Sequence, residues 1–353
     1  MPSSVTHSYF ASDVCNKFKN KSKINLNYLK VFGQGPDPYF FYDFHLSRKA
    51  KEVHKINISM QHSLVNKHFV TLINYINKMN YNDNVMVMSY LYGQICHFIL
   101  DSTIHPFTIY MSGRYDEKDK NTYKYNGMHE KMEYYTDIYL IYQRENIMPK
   151  KYKVYNEIFK FDEFNDELKD TIDNVVKDVY GFDNVSTIYY KCLKDMKKFY
   201  HIFNYDRFGV KKSVYSIMDA VCGDKVVKKK ELSFDVNPNS HLEYLNLDNN
   251  TWKHPCTGEE FSYSFFDLYD MALVKTVKII NEVDKMLNDK KIDNKTSGII
   301  IQLYTSLYNY LMNKSSLEEI TIPKEIKNKI HDKNYLPKRE ELKVLMTLLY
   351  SNK

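Results

Sequence analysis

Cys96-His97-Phe98-Ile99-Leu100-Asp101-Ser102-Thr103-Ile104-His105 places a side chain able to bind a cation at every fourth position: His97, Asp101 and His105. On an α-helix each four-residue step rotates a side chain by about 40°, so the three share one face. The surrounding window from Val85 to Leu100 is the most apolar in the chain. Two imidazoles and a carboxylate are costly to bury in such a helix unless something compensates them. The window contains Gln94 and His97 and runs straight into Asp101, too short and too polar for a membrane span, so it reads as a buried helix. The capping side chains of Asn82, Asp83 and Asn84 start that helix, and Pro106 is expected to end it near Ile104.

A second pair, His129 and Glu133, repeats the four-residue spacing on a helix predicted from Met128 to Gln143. Helical zinc sites commonly present two ligands in this way, and zinc accepts both imidazole nitrogen and carboxylate oxygen. The five cysteines, Cys15, Cys96, Cys192, Cys222 and Cys256, are odd in number and lack C-x-x-C spacing. Neither a disulfide framework nor a thiolate zinc finger is therefore indicated, and the donor set favours a hydrolytic site over a structural one. The donors exceed what one tetrahedral ion uses, which implies several ions. His45, His54 and His68 stand alone on their segments and read as ordinary hydrogen-bonded packing histidines.

Composition agrees with a helical fold. The chain has 353 residues, 43% hydrophobic and 27% charged, enough to bury a large core and too apolar for disorder. Only 10 Gly and 9 Pro argue against a loop-rich all-β fold, whose hairpin turns consume glycine. The formal charge of +6 is spread through interleaved signs, and Lys228 to Lys230 is a short run without aromatic neighbours. No stable nucleic-acid complex is expected from it. The N-terminus has no basic region followed by an apolar stretch, so a cytoplasmic, reducing location is expected.

Outward from the central motif, a helix is expected from His7 to Lys30, closed by the turn Phe32-Gly33-Gln34-Gly35-Pro36-Asp37-Pro38, which puts Asp37 on a constrained loop. Apolar residues at three- and four-residue steps predict one amphipathic helix from Ile58 to Met79 that carries His62. Arg114 to Asn126 reads as a surface loop. Further helices are expected over Asp162 to Tyr180, Ser186 to Tyr205 and Ser264 to Leu287, with an irregular polar connector from Val226 to Thr257 around Trp252. Asp289 to Thr296 resembles a linker. The reading is an all-α, multi-helix domain over 1–290 with a C-terminal helical extension over 291–353.

Taken in order, His7, the Gly35-Pro36-Asp37 turn, His62, His97-x3-Asp101, His105 and His129-x3-Glu133 resemble the zinc-dependent phospholipase C family. That family includes the single-strand-specific nucleases with a three-zinc centre. The resemblance spans about residues 7 to 133, with a weaker echo in Trp252-Lys253-His254-Pro255 and Phe261 to Tyr269. It implies an all-α fold that hydrolyses phosphate esters at a cluster of two or three zinc ions. By position it implies that Asp37, His62, His97 and Asp101 hold one zinc, while His105, His129 and Glu133 hold a second. Asp101 would bridge to a third ion near His7, and Asp37 would orient or deprotonate the attacking water. Characterised members supply that third ion with an N-terminal amine; loss of Met1 would offer Pro2 here. Three residues separate Asp101 from His105, where those members have five. The implied partner is a phosphate ester, with phospholipid favoured over nucleic acid because Glu133 stands where the nucleases tend to carry Asp. A reading from another class is a non-catalytic helical binding protein that keeps the cluster for stability.

Overall fold

The computed structural model describes residues 3–62, 64–116, 118–222, 233–255 and 258–289. Its helices are α1 (Ser4–Lys17), α2 (Leu26–Phe32), α3 (Arg48–His62), α4 (Val65–Met79), α5 (Val85–Ser112) and α6 (Met128–Glu145). They continue with α7 (Val154–Glu157), α8 (Asp166–Tyr180), α9 (Val185–Phe203), α10 (Val210–Cys222) and α11 (Phe265–Asp289). Two short strands, β1 (Trp252–Lys253) and β2 (Glu260–Phe261), pair antiparallel with Trp252 opposite Phe261. The all-α expectation holds. Among the described residues no helix is long and apolar enough to cross a membrane.

The centre of the molecule is α5. Asn84 caps it as expected, its side chain accepting from the backbone N–H groups of Met86 and Val87. At 1.5 Å per residue its 28 residues span about 42 Å, and most of its side chains are buried. Helices α1, α2, α6 and α11 pack around it. Contact with α2 is close because Gly93 lacks a side chain: a Cβ there would lie 2.6 Å from the Phe32 carbonyl carbon. On the α11 side, the Tyr92 hydroxyl donates to Asp284 at 3.1 Å.

Pro106 does not end the helix, which runs on to Ser112. Proline removes one backbone donor and crowds the preceding turn, but burial on both sides outweighs that cost. Ile104 and Phe107 are almost wholly buried, and Phe107 packs edge-on against Trp252 at 5.4 Å between ring centroids. The expected polar connector around Trp252 thus supplies a buried wedge, with the indole N–H donating to the Tyr263 carbonyl.

Two expected helices are each broken in two. The stretch from His7 to Lys30 divides because Phe18 turns extended and the Asn25 side chain caps a new helix by accepting from Asn27 and Tyr28 N–H. The stretch from Ile58 to Met79 divides at Leu64, whose φ of 51° is left-handed; α4 restarts with Phe69, Leu72, Ile73 and Ile76 in the core. His62 therefore lies at the end of α3, not within a longer helix. Helix α10 was not anticipated. The 114–126 loop is mostly exposed with one 3-10 stretch, Lys120–Tyr125. Pro2, the 289–296 linker and the 291–353 extension lie outside the described residues, apart from Asp289 at the end of α11.

Candidate metal centre

His7 enters the site from α1, whose start is fixed by a residue of α6. Asp137 accepts from Val5 N–H at 3.0 Å, Thr6 N–H at 2.8 Å and the Thr6 hydroxyl at 2.7 Å. A carboxylate at a helix N-terminus satisfies orphan donors and complements the dipole. The Tyr200 hydroxyl, donating to Ser4 Oγ, adds a second tie.

From α5 come His97 and Asp101, with Asp101 Oδ2 3.5 Å from His97 Nε2 and Oδ1 3.4 Å from His7 Nε2. The two imidazoles stack with centroids 4.4 Å apart. One ligand atom from each of His7, His97 and Asp101 lies within 4.8 Å of the other two, and all three residues are buried. Both ring nitrogens of His7 and Oδ1 of Asp101 have no hydrogen-bond partner among the described residues. Buried polar atoms are normally satisfied, so these point to a missing partner. Two imidazole nitrogens and a carboxylate oxygen suit zinc, and the residues present fit that ion.

Asp37 reaches the same place from the turn after α2. Gly35 at its crest has φ +56°, and a Cβ there would come 2.7 Å from His97 Nδ1 and closer to the ring carbons. Only glycine allows the backbone to lie against that imidazole. The turn is pinned from outside: the Tyr189 hydroxyl donates to the Gly35 carbonyl and Asn57 Nδ2 donates to the Pro36 carbonyl, each at 2.9 Å. Gln61 Nε2 donates to Asp37 Oδ1 at 2.9 Å, which leaves that oxygen 3.9 Å from His97 Nε2.

A second group lies beside the first. His129 Nε2 is 2.8 Å from Glu133 Oε1 on α6, and the His129 ring sits 5.0 Å from that of His105 on α5. His105 lies one helical turn beyond Asp101 on α5, which sets the two groups next to each other along that helix.

The electrostatics of this cluster are those of a site built around a cation. Burial, and then the charge of Asp101, raises the Asp37 pKa well above the usual carboxylate range. Burial, with Asp101 adding to it, pushes Glu133 up to about 8. Burial opposes ionisation of Asp101 as well, but His97 and His7 beside it hold its carboxyl below the ordinary value. Burial pushes His97 down to about 3 despite Asp101. A neutral His97 imidazole is the form a divalent ion binds, and a cation among these carboxyls would favour their ionised form over the protonated one that burial favours.

Of the eight residues singled out in the sequence, His7, His97 and Asp101 come together with Asp37 beside them, while His105, His129 and Glu133 make contacts among themselves. The grouping differs in one respect, because His7 stands with His97 and Asp101, where the resemblance gives it to a separate ion. The side chain of His62 lies outside the described residues. Sequence reading missed the supports Asn57, Gln61, Tyr189 and Asp137. Only Asp137 carried a signal, since it extends the His129, Glu133 spacing by one further step of four.

His97 and Asp101 also line a small cavity of about 30 Å³, room for about one or two water molecules. Gln61, Gln94 and His68 line it together with apolar side chains.

A family model described as zinc-dependent phospholipase C matches residues 6–182, a span that includes all eight candidate ligands. No curated protein and no solved structure matches the chain.

Proposed function

Because this chain belongs to the zinc-dependent phospholipase C family, we propose that it hydrolyses a phosphate ester at this centre, with phospholipids as the substrate class. The observation that carries the proposal is the buried group of His7, His97 and Asp101, in which both His7 ring nitrogens, His97 Nδ1 and Asp101 Oδ1 lack hydrogen bonds among the described residues. Zinc bound there supplies Lewis acidity, lowering the pKa of bound water to about 7 and neutralising charge on phosphoryl oxygens.

The chain's own residues do the rest. His7, His97 and Asp101, together with Asp37 and His62, form one set of donors; His105, His129 and Glu133 form another, for two or three ions in all. Asp37 is placed as a proton acceptor by geometry: buried on its turn, beside His97, and fixed by Gln61. It orients the attacking water and takes its proton. Asp137 and Gly35 contribute by position, the first setting where α1 begins and the second letting the Asp37 turn lie on His97.

The proposal is tested with full-length zinc-loaded protein on bis(p-nitrophenyl) phosphate, phosphatidylcholine mixed micelles and single-stranded DNA. Hydrolysis of the first two is expected, lost on chelation, and reduced about a hundredfold or more by His97→Ala in a variant that stays folded. A folded, zinc-replete protein that cleaves none of the three would leave the cluster as a stabilising element only. Faster cleavage of DNA than of phospholipid would move the protein to the nuclease branch.

A further inference from the structure

Helix α10 is amphipathic but turned opposite to a helix that packs on a core. At about 100° per residue, Val210, Val214, Ile217, Met218 and Val221 fall within about 100° of one another. All five are exposed, Ile217 by 67% and Val221 by 81%. The other face carries Lys212, Tyr215, Ser216 and Asp219, and it is this polar face that is half-buried. Phe208, just before the helix, and Ile202 on α9 are exposed as well. Scattered apolar side chains on a surface are ordinary, but a stripe along about three turns of one helix marks an interaction face.

The polar side fixes this orientation. Asp206 caps the helix, accepting from Lys211 N–H at 3.2 Å, Lys212 N–H at 2.8 Å and the Ser233 hydroxyl at 2.7 Å. The Tyr215 ring stacks along Phe203 of α9, and Lys212 Nζ donates to the Asp235 carbonyl. The Ser233 carbonyl accepts from the Tyr134 hydroxyl, so the anchor of α10 meets α6 one residue beyond Glu133 of the candidate centre.

Charge at the start of the helix selects what covers the stripe. Arg207 is exposed, its guanidinium 5.5 Å from the Phe208 ring centroid. Lys211 Nζ donates to the His201 and Tyr205 carbonyls, and Lys153 Nζ lies 5.7 Å from the Tyr205 ring centroid. Carbonyls, not carboxylates, thus hold the ammonium groups of Lys211 and Lys212. The nearby acids are otherwise engaged: Asp206 is buried as the cap, Asp235 pairs with Lys150 at 3.0 Å, and Asp219 is on the inward face. An apolar stripe with cations at its end is the pattern of a helix lying in the interface of an anionic bilayer.

We propose that α10 docks the protein on an anionic lipid membrane, its stripe from Val210 to Val221 entering the headgroup boundary while Arg207 and the neighbouring lysines meet lipid phosphates. The inference rests on the phospholipid reading for what the docked centre cleaves, but docking is measured without turnover.

Cosedimentation of full-length zinc-loaded protein with vesicles compares pure phosphatidylcholine with phosphatidylcholine containing about one-third phosphatidylglycerol. Wild type should bind the anionic vesicles about tenfold or more tightly than the neutral ones, and added salt should weaken that binding. The double variant Ile217→Gln, Val221→Gln should bind them about tenfold or more weakly, with Tm, zinc content and turnover of bis(p-nitrophenyl) phosphate unchanged. Arg207→Gln should weaken binding to anionic vesicles about fivefold. Failure of wild type to bind anionic vesicles overturns the proposal and leaves the stripe to another part of this chain or to a protein. Unchanged vesicle binding by the double variant overturns it too, as does a wild-type dimer in light scattering that the double variant makes monomeric. Stripe-dependent vesicle binding without hydrolysis of any ester supports this inference and removes the hydrolase reading alone.

Discussion

Replacing Gly35 by alanine tests whether the Asp37 turn and His97 form one rigid unit. Two costs arise there. A side chain at φ +56° occupies the left-handed region, which for a non-glycine residue costs about 1–2 kcal/mol. The added Cβ also meets the His97 ring within 2.7 Å of Nδ1, and that ring cannot swing aside because His7 stacks on it and Asp101 flanks it. Overpacking of this kind adds about 1–3 kcal/mol, for a sum of about 2–5 kcal/mol. Gly181 is the internal control: its φ is +77° and an added Cβ would meet nothing within 4 Å, so Gly181→Ala should cost only the backbone part. Urea unfolding of both variants under chelation reads the stability difference, and zinc titration reads the site. Gly35→Ala should lose more stability than Gly181→Ala and bind zinc more weakly. Equal losses with unchanged zinc affinity in both would refute the packing argument.

Asp137→Ala should destabilise by about 2–4 kcal/mol, since it removes a helix cap and leaves buried donors at Val5 and Thr6, and should weaken zinc binding through His7; denaturant unfolding and zinc titration check both. His68 makes stability acid-sensitive: its folded pKa of about 4 lies below the ordinary 6.5, so the unfolded chain takes up the proton first. That contribution is full above pH 6.5 and is lost as pH falls toward 4, by up to about 3 kcal/mol relative to His68→Leu, readable from unfolding midpoints across that range. Chelation should lower the Tm and added zinc restore it, by about 2.7 kcal/mol when free zinc is a hundred times its Kd.

How much of this was legible depended on whether a feature is local. The four-residue spacings of His97, Asp101 and His105, and of His129 and Glu133, are properties of one helix each, and both helices are present. The Gly35-Pro36-Asp37 turn was equally readable as a turn. What it lies against was not, because the contact joins Gly35 to His97, far along the chain on another helix. Pro106 misled for the same reason: its local preference is to end a helix, and the Trp252 wedge that overrides it comes from a distant segment. Helix breaks at Phe18 and Leu64 fall where no glycine or proline marks them. The Asp137 cap on α1 and the unsatisfied ring of His68 are consequences of packing that periodicity does not encode.

The most direct test of the whole account is the position of the metal in crystals of the full-length protein grown with zinc. Anomalous difference maps recorded on either side of the zinc absorption edge should place an ion about 2.0–2.2 Å from His97 nitrogen and an Asp101 oxygen, with His7 among its neighbours. An occupied zinc site elsewhere, or no anomalous peak between α1 and α5, would contradict it.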